Sequence, residues 1–151
     1  MKKDYSILIG GEAGQGSRVA GQIIAKLFSK LGYNIFIYND YQSLIRGGHN
    51  FSQIRVSEKK ILTHQEKSDF LLVLDENTFK KHKGKLNEKG VIVYDSGSVS
   101  MKDKKAIGIP LGEIVSKLGG RPIMNNVALI GGFTKIVGID WKIIKEVIGK
   151  E

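Results

Sequence analysis

A chain of 151 residues with 41% apolar content can bury one core and leaves little for a second lobe. Having no cysteine, it can hold no disulfide, thiolate nucleophile or cysteine-ligated iron–sulfur cluster, and its three histidines, His49, His64 and His82, fit no familiar metal-ligand spacing. The net charge of +9 favours anionic partners, but the lysine-rich stretches "FKKHKGKLNEKG" and "MKDKKA" bring little arginine or aromatic surface, so a solvated face is expected and nucleic acid is not.

The opening "MKKDYSILIGG" has only a short apolar run, Tyr5–Ile9, before glycine. That reads as a buried first strand, not a secretory leader, and no apolar run approaches the roughly 18 residues of a membrane-spanning helix. A cytoplasmic protein is the expectation. From about Gly14 to Leu31, Val19, Ala20, Ile23, Ile24, Leu27 and Leu31 recur at helical spacing, and Gly32 suits the C-terminal cap. "NIFIYN" predicts a second strand, which makes a strand–helix–strand unit of parallel-crossover length.

"DYQSLIRGGHN" (Asp40–Asn50) is a polar loop with a glycine pair and no periodicity. "FSQIRVSEKKILTH" then alternates through Phe51, Ile54, Val56 and Ile61, predicting a strand and hairpin with "SEKK" as its turn. "DFLLVLD" and "VIVYD" predict fully buried strands. Between them "ENTFKKHKGKLN" predicts a short amphipathic helix with Phe79 and Leu86 inward, ended at Gly90. "KKAIGIP" predicts a strand stopped by proline. Three helices complete the chain: "LGEIVSKLG", "MNNVALIGGFTKIVG" and "DWKIIKEVIG", the last opened by Asp140 as N-cap. This alternation predicts an α/β fold in one domain, residues 1–151: a three-layer sandwich with a mostly parallel, Rossmann-like sheet and an antiparallel hairpin element.

Functional loops of such sheets lie at the carboxyl ends of the strands. The loop "IGGEAGQGS", the "RGGHN" loop and the turns after Asp75 and Asp95 are therefore expected on one rim. In the first of these, Gly11, Glu12, Ala13, Gly14, Gln15, Gly16 and Ser17 join a strand to a helix N-terminus, where unpaired N–H groups and the helix dipole favour an anion. A tight turn with close helix–sheet packing uses the same glycines. The strict G-x-G-x-x-G pattern fails at Ala13, and no Gly-Lys-Ser/Thr follows. Asp40 stands where a dinucleotide-binding acid would, but no residues remain for a substrate domain. In the second loop, Gly47 and Gly48 let the backbone approach something closely, and Arg46 and His49 could contact an anion or a neighbouring chain. Asp40, Asp75 and Asp95 read as caps or turn formers. Of Asn125 and Asn126, one is explained by N-capping and the other could reach a partner.

Together these stretches resemble the gamma subunit or gamma domain of the 2-oxoacid:ferredoxin oxidoreductases. The family's glycine loop corresponds to Gly11, Ala13, Gly14 and Gly16, its "Y…RGG" segment to Tyr41, Arg46, Gly47 and Gly48, and its "RVS" strand end to Arg55, Val56 and Ser57. Its late "N-x-x-x-x-G" helix corresponds to Asn126 and Gly131. Ala13 replaces a glycine, and Gln42-Ser43 replaces the proline often found before "SLIRGG".

The resemblance implies a subunit without catalytic residues of its own, closest to the gamma domain of 2-oxoglutarate-type enzymes. The complex would convert a 2-oxoacid and coenzyme A to acyl-CoA and carbon dioxide, passing electrons to ferredoxin. Thiamine diphosphate, magnesium and iron–sulfur clusters would belong to alpha and beta partners, and this chain would face coenzyme A or a partner through Gly11–Ser17, Arg46–His49 and Asn126. The other reading is a free-standing nucleotide-binding or regulatory module.

Overall fold

The structure is a computed structural model and describes residues 4–41 and 47–149. The apolar opening run extends in both directions to form β1 (Asp4–Glu12), whose middle is buried on both faces. Helix α1 (Ser17–Lys30) follows, with Gly32 in the left-handed region (φ +87°) just beyond its end, as the C-terminal cap requires. Then come β2 (Asn34–Asp40), β3 (His49–Ser57), β4 (Ser68–Val73), α2 (Glu76–His82), β5 (Leu86–Asp95), β6 (Ala106–Ile109), α3 (Leu111–Lys117), α4 (Asn125–Val137) and α5 (Trp141–Ile148). Among the described residues no helix is long and apolar enough to cross a membrane.

The six strands form one sheet in the order β2-β3-β1-β4-β5-β6. β1, β4, β5 and β6 pair in parallel, and β3 runs antiparallel to both neighbours, β1 and β2. The expected mixed sheet is therefore present, with the hairpin located differently. β3 folds back on β2, which precedes it, and residues 58–67 after the "SEKK" turn form no strand. β1 and β2 do run the same way across α1, but β3 lies between them.

A second correction concerns residues 76–90. α2 stops at His82, and Leu86 and Gly90 belong to β5, which starts earlier than the polar "LNEKG" suggested. Leu86 pairs with Ser68 and Val91 with Phe70, so the polar residues 87–90 bulge between two ladder contacts with β4.

Alternation along the strands divides the core. Ile7, Ile9, Ile54, Leu72 and Val93 meet α1, α3, α4 and α5 on one face, with Phe28 and Phe133 fully buried. Leu8, Leu71, Val73 and Ile92 meet Phe79 of α2 and Val99 on the other. The second outer layer is thin, built from α2 and irregular chain.

Candidate functional site

β1, β4 and β5 are parallel, so their carboxyl ends open on one rim. β3 is reversed, so its first residue joins that rim: His49 lies opposite Glu12 in the β1–β3 register. The two glycine-bearing loops are in direct contact, because the Ala13 N–H donates to the Gly48 carbonyl at 2.8 Å. The shared rim expected from the sequence is thus present for Gly11–Ser17 and Gly47–His49. Arg46, like Gln42 and Ser43, lies outside the described residues.

The loop Ala13–Gly16 is shaped by its own polar groups. The Glu12 N–H donates to Gln15 Oε1 at 2.7 Å, and the Gln15 N–H returns to the Glu12 carbonyl at 3.0 Å. Gly14 and Gly16 take positive φ values, +98° and +78°. Gly16 is the N-cap of α1 and supplies no side chain to it, so the first-turn N–H groups have no side-chain cap. Asn126, 5% exposed, donates from Nδ2 to the Gly16 carbonyl at 3.3 Å.

Neither asparagine caps α4, which corrects the N-capping expectation; Met124 occupies that position. Asn126 instead ties the start of α4 to the glycine loop. Asn125 presents a buried Oδ1 with no hydrogen-bond partner. That acceptor lines a cavity of about 350 Å³, shared with Gly14 and Gln15 of the loop, Leu74 after β4, Asp95 and Ser98 after β5, and Pro122 and Ile123. An unpaired buried acceptor is costly, so it is suited to a donor that arrives with a ligand or water.

Asp95, 2% exposed, accepts from the Gly97 N–H (3.0 Å), Ser98 Oγ (2.9 Å) and the Leu111 N–H (3.2 Å). It builds the turn and fixes the start of α3, as expected of a turn former. Asp75 caps α2 through the Thr78 N–H (2.8 Å) and Thr78 Oγ1 (2.7 Å). Asp40 ends β2, on the far side of the sheet from this cavity.

His49, a contact candidate from its loop, has a buried side chain. It is 5% exposed, and its Nε2 lies 2.8 Å from Nε2 of His82, itself 6% exposed. Burial lowers the pKa of both rings, with the nearby Lys81 ammonium adding to the shift of His49. For His82, burial first, then His49, Lys85 and Lys81 bring it down to about 4. Both rings are therefore neutral at pH 7. Sequence reading missed His82, which sits in a lysine-rich helix, and missed Ser98 and the Pro122–Ile123 wall of the cavity; it named Asn125 only as a helix cap or partner contact.

Among the described residues no group of three or more His, Asp or Glu side chains could hold a metal ion. The chemistry available here is hydrogen bonding to a polar ligand or to a neighbouring chain.

Comparison with known proteins fits that picture. The family pattern for pyruvate ferredoxin/flavodoxin oxidoreductase matches residues 6–151. The chain is 29% identical to the 2-oxoglutarate synthase subunit KorC of Archaeoglobus fulgidus, over 99% of this chain and 80% of that protein. It is 33% identical to the alpha subunit of 2-oxoacid:ferredoxin oxidoreductase 1 of Aeropyrum pernix, over 68% of this chain but only 16% of that subunit.

Among solved structures, the 2-oxoglutarate:ferredoxin oxidoreductase of Magnetococcus marinus, with 2-oxoglutarate, coenzyme A and succinyl-CoA bound, superimposes with a TM-score of 0.87. The identity is 23%, covering 99% of this chain and 27% of the other. The keto/oxoacid ferredoxin oxidoreductase gamma subunit of Geobacter sulfurreducens gives a TM-score of 0.79 at 24% identity, covering 95% and 84%.

Proposed function

The chain belongs to the pyruvate ferredoxin/flavodoxin oxidoreductase family, and from that premise we propose that it is the non-catalytic gamma subunit of a 2-oxoacid:ferredoxin oxidoreductase. It would aid assembly with alpha and beta chains and form part of the coenzyme A side of the active site. The complex would oxidise a 2-oxoacid, join the acyl group to coenzyme A, release carbon dioxide and reduce ferredoxin. Thiamine diphosphate, magnesium and iron–sulfur clusters are assigned to the partners. A chain without cysteine has no thiolates for a cluster.

The observation that carries this reading is the Ala13–Gly48 hydrogen bond, which joins the two loops at the rim beside a polar cavity. The first-turn N–H groups of α1 suit a phosphate, and the dipole adds partial positive charge there. Asn125 Oδ1 suits an amide or amino donor, groups that coenzyme A carries along its length. In this role the chain binds and orients; it moves no proton and forms no covalent bond.

The test is the coenzyme A dependence of the assembled enzyme. Asn125→Ala and Arg46→Ala are expected to raise the KM for coenzyme A and to leave the KM for the 2-oxoacid unchanged, since no group here is assigned to that substrate. If both variants leave coenzyme A dependence unaltered, the ligand assignment fails. Tight dinucleotide binding by a solitary chain would favour a nucleotide-binding module instead.

A further inference from the structure

His49 and His82 are 33 residues apart and come from different layers, β3 of the sheet and the last turn of α2. Among the described residues each ring has one hydrogen-bond partner, the other ring, and both Nδ1 atoms are buried without one. A neutral imidazole has one N–H and one acceptor nitrogen. A 2.8 Å contact between two Nε2 atoms therefore needs opposite tautomers, one ring carrying its proton on Nε2 and the other on Nδ1.

The surroundings hold the pair in register. The Phe51 ring meets His82 edge-on at 4.6 Å between centroids and stacks on His49 at 5.8 Å. Gly10 of β1 brings the backbone against His49: a Cβ there would stand 3.1 Å from its Cε1. The pair ends one residue from Gly48, whose carbonyl receives the Ala13 N–H.

We propose that His82 is a positioning residue of the rim: its hydrogen bond to His49 fixes the start of β3 and so holds Gly48 against the glycine loop at Ala13. The enzyme-level consequence rests on the gamma-subunit reading above; the pairing itself does not. The shared proton gives this contact a pH dependence. With both rings protonated, two N–H groups would point at each other across 2.8 Å, and the bond could not persist. A single added proton would place a cation in a buried site facing Lys81 and Lys85 on the α2 side. Asp75 and Asp40 offset this in part at His49, and Glu12 stands opposite His49 on β1. The two rings therefore titrate as one unit.

The experiment uses the full chain for the pairing and the assembled complex for its effect. Ring-nitrogen NMR at neutral pH, with the His49 and His82 signals assigned by substitution, is expected to show one of these rings as Nδ1–H and the other as Nε2–H, moving together on acidification below the ordinary histidine range. In His82→Phe, the Ala13 and Gly48 amide signals are expected to shift. In His82→Gln, whose amide can reach where Nε2 stood, they are expected to return towards the wild-type positions without the acid transition. In the complex, His82→Phe is expected to raise the KM for coenzyme A several-fold with a smaller change in kcat, and His82→Gln to restore it.

Independent titrations of His49 and His82 near pH 6.5 in the wild-type chain would overturn the proposal. So would unshifted Ala13 and Gly48 amides in His82→Phe. If Asn125→Ala raises the coenzyme A KM and His82→Phe does not, positioning is refuted. If neither variant raises it while the ring and amide results hold, the coenzyme A reading falls and the pairing stands.

Discussion

Gly16 and Gly14 sit two residues apart in the same loop, yet a methyl group would meet different surroundings at each. Both have positive φ, which costs an L-residue about 1–2 kcal/mol. At Gly14 a Cβ would have nothing within 4 Å; at Gly16 it would lie 2.2 Å from Asn126 Nδ2. Gly16→Ala must therefore pay the backbone strain and also displace a buried amide that ties α4 to the loop. The expected result is a larger loss of stability for Gly16→Ala than for Gly14→Ala, by about 1–3 kcal/mol. Thermal melts of the two variants check it, because each kcal/mol shifts Tm by about 2–4 °C at this chain length.

The histidine pair supplies the second prediction at this scale. Burial keeps His82 neutral down to about pH 4, whereas an unfolded histidine takes up its proton near 6.5. Below 6.5 the unfolded chain binds more protons, so this contribution to stability is complete above that pH and is lost as pH falls towards 4. Denaturant midpoints measured across that window should decline on acidification, and His82→Phe should flatten the decline.

Among the elements, α1 packs tightly on β3. Gly21 faces Ser52, and a Cβ there would stand 2.6 Å from the Ser52 Cβ. On an exposed helix, Gly→Ala gains about 1 kcal/mol. Here the obstructing atom is anchored to the central sheet, and Ser52 Oγ is already committed to Asn39 Oδ1 on β2 at 2.6 Å. Overpacking of about 1–3 kcal/mol should outweigh the propensity gain, so Gly21→Ala is expected to lower the denaturant midpoint. α2 depends on its cap: Asp75→Ala loses both Thr78 bonds and should cost about 1 kcal/mol.

The elements also mark where sequence patterning stops. Alternation in "FSQIRVS" correctly marked a strand with a buried face, but it carries no information about which strand is its neighbour. The partner of β3 is fixed by long-range pairs such as the twofold Arg55–Asp4 contact (2.9 and 3.2 Å), not by the turn that follows. In β5, "LNEKG" has loop composition, and only its Leu86 pairs with β4, at Ser68, before the register shifts to Val91 opposite Phe70.

For the molecule as a whole, the glycine loop and the "RGGHN" loop were legible as rim features because glycine, helix start and strand end carry local signals. The cavity beside them was not, since Gly14, Asp95, Ser98 and Asn125 meet only when three segments fold together. His82 was hidden for the same reason, inside a stretch whose charge reads as a solvated face. Among the described residues this rim keeps an unpaired acceptor at Asn125 and a helix start at Gly16 without a side-chain cap. Both are explained if another molecule completes them.

The most direct measurement is reconstitution of the alpha and beta partners with and without this chain, following 2-oxoacid-driven reduction of ferredoxin as coenzyme A is titrated. Coenzyme A-dependent reduction is expected to need this chain, and the three proteins are expected to co-purify. Full coenzyme A-dependent activity from the partners alone, with this chain running as a solitary monomer, would contradict the gamma-subunit reading.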